Sequence, residues 1–173
     1  MSKRKKITDE PKPIKLDISF MAKEPQSGHE LGKFDPQKLP WPLKDGSVEE
    51  LFCAFLLCRI PAAKRAPFMD EAYRVLVPNG KMTVIVPYYS SVRAHQDPTH
   101  EWPPFSEHSF FYFNADWRKV NAPYLECKCD FDFGYGYIYD AETQGRSDDA
   151  RPEWVKHKLN AVTDVQVVLT KKG

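Results

Sequence analysis

The segment from Val48 to Tyr89 limits the fold more than any other part of the chain. Val48 to Leu57 is a nearly continuous apolar run, broken early by Glu49 and Glu50, and such a run suits a strand buried on both faces of a parallel sheet. Phe68, Ala72, Val75 and Leu76 follow at helical spacing, with Pro67 placed for a first turn. Pro78-Asn79-Gly80 then reads as a turn, its glycine standing where a positive φ is often required. Lys81 to Tyr89 (KMTVIVPYY) supplies a second buried strand. A strand, a helix, a tight turn and a strand within about 40 residues predict a right-handed βαβ crossover.

The flanks extend this unit without repeating it. The first six residues, MSKRKK, carry four basic side chains, and two prolines follow, so residues 1–13 are expected to be a mobile basic tail and residues 14–173 the folded domain. The tail reads most simply as a solubilising end, with nucleic acid or an acidic partner as its functional alternative. Ile14 to Phe20 alternates well enough for a first strand. Met21 to Pro42 reads as a long loop with four prolines. After the central unit, Ser106 can cap a helix whose Phe110, Phe113, Trp117 and Val120 share one face. Leu125 to Phe133 alternates as a half-buried strand, and Thr163 to Thr170 places Val165, Val167 and Leu169 on one side of a last one. Tyr135 and Tyr137, alternating with Gly134 and Gly136, suit a bent edge strand or a substrate wall.

At 173 residues the chain fits one domain, able to bury roughly 70% of its unfolded surface. The formal charge of +1 gives no general case for nucleic acid binding. No apolar run approaches the roughly 20 residues needed to cross a bilayer, and the basic start lacks the apolar stretch of a signal peptide, so a cytoplasmic protein is expected. Cys53, Cys58, Cys127 and Cys129 match no zinc or redox spacing. They are expected to be reduced, and Cys127 and Cys129 to pack from one side of a strand into the core.

The stretch FDPQKLPWPLKDGSVEELFCAFLL, followed by FMDEAYRVLVPNGKMTVIVP, resembles the class I S-adenosylmethionine-dependent methyltransferases. Further on, YYSSVRAHQDPTHEWPPFSEHSFFYFNADWRK and CDFDFGYGY look like a subgroup of small methyltransferase-like proteins frequent in bacteriophage genomes. The likeness covers about 140 of the 173 residues. It implies an α/β fold, a truncated Rossmann-like methyltransferase sheet, mostly parallel, closed by a C-terminal antiparallel strand pair. It further implies S-adenosylmethionine as cofactor, with Asp35 at the family position that contacts the adenine amino group. Asp17 aligns with the acidic end of the family's first or second strand, and Cys53 to Phe55 lie beside the methyl donor.

One part of the family pattern is missing. The family's first strand runs into a glycine-rich turn, because only glycine lets backbone amides approach the cofactor closely. Here Asp17-Ile18 is followed by Ser-Phe-Met-Ala-Lys-Glu-Pro, with no glycine before Gly28. Only 17 residues separate Asp17 from Asp35, too few for a helix and two strands. A βα unit and the cofactor loop are therefore expected to be absent. Relatives often carry Glu-His after the central strand, where this chain has Cys58-Arg59.

The loop after the second buried strand faces substrate in this fold and holds His95, Asp97 and His100. His100, oriented by Asp97, is the best candidate base, with His95 as a second one. The same segment also reads as a turn, Asp97 capping backbone amides. His95, Asp97, His100 and His108 lack the helical spacing of a metal site, so none is expected there. Two functions stay open: a methyltransferase with degenerate cofactor binding, or an inactive relative with a binding or structural role, such as a phage assembly or virion component. A piece of a longer enzyme ranks below both. A shortened sheet also predicts a homo-oligomer or a partner protein that covers it.

Overall fold

The computed structural model describes residues 12–173. The basic tail expected over 1–13 falls almost wholly outside that range. One six-stranded sheet organises the chain, built from β1 (Ile14–Asp17), β2 (Glu30–Leu31), β3 (Val48–Ala54), β4 (Leu76–Pro87), β5 (Phe131–Tyr139) and β6 (Val162–Lys171). Its spatial order is β2-β1-β3-β4-β6-β5. The first four strands run parallel, while β6 lies antiparallel to both β4 and β5. The central prediction holds, since β3 and β4 pair in parallel with Cys53 opposite Val84. The expected α/β sheet, mostly parallel with an antiparallel pair, is the one observed.

Helix α1 (Ala62–Val75) joins β3 to β4 and lies against one sheet face. It begins earlier than predicted and carries Pro67 inside it, on its exposed side. Phe68, Met69, Ala72 and Val75 are buried beneath it. Against them stand Leu51, Cys53, Met82, Val84, Val165, Val167, Leu169 and Phe131, each no more than 1% exposed. Period-2 alternation brings these residues to one side of four neighbouring strands. The opposite side, with Phe52, Ala54, Thr83, Ile85 and Val168, is only half-buried. Two-sided burial of β3 and β4 is thus not reached: the 12 residues from Ile18 to His29 that connect β1 to β2 contain no helix to cover this face.

Several boundaries move, each for a local reason. At Pro78-Asn79-Gly80 the positive φ, 62°, falls on Asn79 rather than on Gly80. Gly80 is required for close approach instead: a Cβ there would meet the Val77 carbonyl oxygen at 2.8 Å and that of Glu49 at 3.1 Å. The chain bulges at this point, so the register passes from Val48 opposite Leu76 to Glu50 opposite Lys81. The predicted strand Leu125 to Phe133 starts only at Phe131, because residues before it are tied to side chains instead of to a strand. Arg118 donates to the carbonyls of Cys127 and Cys129 at 2.9 and 3.0 Å, and Asp70 accepts from their neighbouring amides. The aromatic helix after Ser106 divides into a 3₁₀ turn over Glu107–Phe113 and a short α-helix over Ala115–Asn121. Phe110 and Phe113 are buried, whereas Val120 is exposed. Asn114 makes the break, capping the second piece by accepting from the Trp117 amide.

Candidate functional site

In open α/β sheets the functional crevice lies beyond the carboxyl ends of the strands, where the strand order reverses. Here that point lies between β1 and β3, from which the chain proceeds outward to β2 on one side and to β4 on the other. The residues just past these strands are tightly placed. Ser19 Oγ accepts from the Ala54 amide at 2.9 Å, the Phe20 amide donates to the Ala54 carbonyl at 2.9 Å, and the Phe55 amide donates to the Ile85 carbonyl at 2.8 Å. Phe55 adopts a φ of 56°, a left-handed conformation that is strained for a bulky side chain.

Arg59 fills the crevice. It extends from the 3₁₀ turn Leu57–Arg59, and its guanidinium stacks 3.9 Å from the Phe20 ring centroid. Nη1 donates to the Phe55 carbonyl at 2.9 Å and lies 2.9 Å from His100 Nε2, while Nη2 donates to Asp97 Oδ2. Arginine has only donors, so His100 Nε2 must accept here, which assigns the ring proton to Nδ1. That nitrogen is buried and meets no acceptor. Beside this cluster Arg93 lies 5.4 Å from the Phe55 ring and donates to Asp164 Oδ2 at 2.9 Å. Both cations of the crevice therefore already have carboxylate partners.

The predicted site residues divide among these surroundings. Asp97 and His100 do come together, 3.6 Å apart, but with Arg59 bound to both. Asp97 Oδ1 also takes the Thr99 amide and hydroxyl at 2.9 and 2.8 Å. Those Thr99 bonds, with smaller contributions from Arg59 and His100, hold its carboxyl below the ordinary aspartate range. His95 stands apart, exposed, with Nε2 2.8 Å from the Tyr89 carbonyl. Asp17 is 3% exposed, and its two oxygens accept from the Ser19 and Gln26 amides at 2.8 and 2.7 Å. Its carboxylate thus ties down its own loop. Asp35 accepts from the Gln37 amide at 3.0 Å, as an aspartate opening a turn does, and lines a separate cleft with Leu39, Ile60, Lys64 and Phe68. Sequence reasoning missed Arg59 and Phe20 as parts of the crevice. No spacing rule links positions 20, 59, 97 and 100, which meet only when three strand ends are brought side by side.

No protein-family model matches the chain, and no curated protein does. Solved structures do. A SAM-dependent methyltransferase from Archaeoglobus fulgidus superposes with a TM-score of 0.56 at 14% identity, over 83% of this chain and 68% of that one. A complex of the Haloferax volcanii Trm112 methyltransferase activator with a methyltransferase gives 0.50 at 16% identity, over 87% and 65%. This chain spans about two-thirds of the length of both. What they share with it is the fold, that of the SAM-dependent methyltransferases.

Proposed function

We propose that this protein keeps the methyltransferase sheet without a working S-adenosylmethionine site and acts as a binding or structural protein. The observation that carries this reading is the stack of Arg59 on Phe20 at the β1/β3 switch point, anchored by Asp97 and His100. The residues present do not fit the cofactor. Between β1 and Gly28 there is no glycine to admit close backbone approach, and the Asp17 carboxylate is spent on loop amides. His100 is poorly placed as a base too, since the lone pair of Nε2 already accepts from Arg59.

Losing two hydrogen bonds to a charged ligand costs roughly 3–6 kcal/mol, which carries a micromolar site towards the millimolar range. Calorimetric titration with S-adenosylmethionine and S-adenosylhomocysteine tests this. The expected dissociation constant is no tighter than about 1 mM. Micromolar binding that disappears in Asp35→Ala would instead support the active enzyme, with Asp35 at the adenine position, and a role for Asp97, His100 and His95 in proton transfer.

The half-buried sheet face supports one addition, a second copy of the chain or a partner protein covering Phe52, Ile85 and Val168. No helix among the described residues is long and apolar enough to cross a membrane. A contact with nucleic acid through the basic N-terminal segment concerns residues outside those described, as does its role as a tail.

A further inference from the structure

Cys127 and Cys129 were expected to be inert packing residues. They are instead arranged with a carboxylate on the far side of the molecule from the crevice. Residues 127 and 129 sit before β5, and both thiols turn towards α1, with their sulfurs 3.2 Å apart. Asp70 projects from that helix to within 3.2 Å of the Cys127 sulfur. One ligand atom from each of the three lies within 4.8 Å of the other two, the one such group of His, Cys, Asp and Glu among the described residues.

The arrangement is held from outside. Arg118, itself buried, grips the carbonyls of Cys127 and Cys129, and Asp70 Oδ1 takes the Lys128 and Cys129 amides at 2.7 and 2.8 Å. The backbone on both sides of Lys128 is thereby fixed, so the two thiols converge without needing to be drawn together. Asp70 Oδ2 makes no hydrogen bond within the described residues. It adjoins a surface groove bordered by Asp70, Lys128, Tyr73 and Lys171, a route from solvent to the cluster.

We propose that Asp70, Cys127 and Cys129 form a binding site for a thiophilic divalent cation such as Zn²⁺. Zinc bonds of about 2.3 Å to sulfur and about 2.1 Å to oxygen, in tetrahedral geometry, place the ligand atoms roughly 3.5–3.8 Å apart. The donors need to separate by only about half an ångström to reach that spacing. Two sulfur–zinc bonds replace two S–H bonds, the protons pass to solvent, and no electrons are transferred. Three protein ligands leave the fourth position to water. The ion would pin the segment before β5 to α1, and so fix the start of the sheet's outer strand. The sequence could not reveal this. C-x-C alone is no zinc motif, and the third ligand stands 57 residues upstream of Cys127.

The test uses the whole chain, reduced and freed of metal by a chelator, titrated with Zn²⁺ against a chromophoric competitor and with Co²⁺ as a spectroscopic probe. One ion per chain is expected, with a thiolate-to-cobalt charge-transfer band. Cys127→Ser and Cys129→Ser should each weaken binding about 100-fold or more. Asp70→Asn, which keeps an acceptor for the two amides, should weaken it about 10-fold. A measurement on the unaltered chain guards against variants that fail to fold: Zn²⁺ should slow alkylation of Cys127, and a chelator should restore the rate. The proposal is overturned by unchanged alkylation, by a cobalt band that persists in the double serine variant, or by a Cys127–Cys129 disulfide forming with no zinc uptake.

Discussion

The two faces of the same sheet have different fates. On the α1 side, Val84, Val167 and Phe131 are 0% exposed, and Phe131 meets Tyr73 edge-on at 5.2 Å. On the other side, Phe52 and Ile85 are half-buried and share the surface with a Lys15–Glu50 pair and with Gly134 and Gly136, beside which there is open space. The strands are continuous across both faces, so strand propensity does not explain the difference. Chain length between strands does. Seven residues separate β3 from α1, and the helix that follows can fold back over the sheet. The 12 residues joining β1 to β2 are instead occupied in a loop clamped by Asp17. A layer is lost where the connection became too short to form a helix and return, and the same shortening removed the turn on which a cofactor would rest.

Three measurements can break or sharpen this contrast. The largest effect is expected on the covered face. Phe131→Ala should cost about 3–5 kcal/mol in urea unfolding, because it removes a buried ring from a packed core and leaves a cavity. Phe52→Ala, on the open face, should cost only about 1 kcal/mol, since much of that ring is already wet and the site can collapse. Equal costs for the two, measured in dilute solution, would mean that the open face is covered there, and light scattering would then show a species larger than the single chain. The smallest effect concerns Glu50, whose carboxyl is held below its ordinary value of 4.5 chiefly by the hydrogen bond from Lys15. A depressed folded-state value contributes stability that is present above the unfolded value and lost as pH falls through the folded one. The small deficit of Glu50→Gln at pH 7 should therefore close below about pH 4.5 and shrink with added salt. A deficit that widens on acidification would contradict the pairing.

Much of the fold was legible because it rests on local patterns. The apolar run at Val48, the helical spacing of Phe68, Ala72 and Val75, and the second run at Lys81 led to a parallel pair, and that pair lies at the centre of the sheet. Strand ends were less legible. Leu125 to Phe133 alternates as a strand does, yet its first half is claimed by Arg118 and Asp70, residues from two other elements. The crevice was legible only in part. Asp97 and His100 were singled out and do meet, but Arg59, the residue that binds them both, stood out only as a departure from a familiar pattern.

Periodicity and turn chemistry act over a few residues, and so the sequence by itself determined the α/β class, the parallel core and the absence of a glycine turn after the first strand. Which side chains converge across long separations was decided only by the tertiary structure. Phe20, Arg59, Asp97 and His100 meet because parallel strands deliver successive loops to one end of a sheet. Asp70 meets Cys127 and Cys129 because α1 packs beside the entrance to β5. Such convergence depends on distances set by packing, to which no spacing along the chain corresponds.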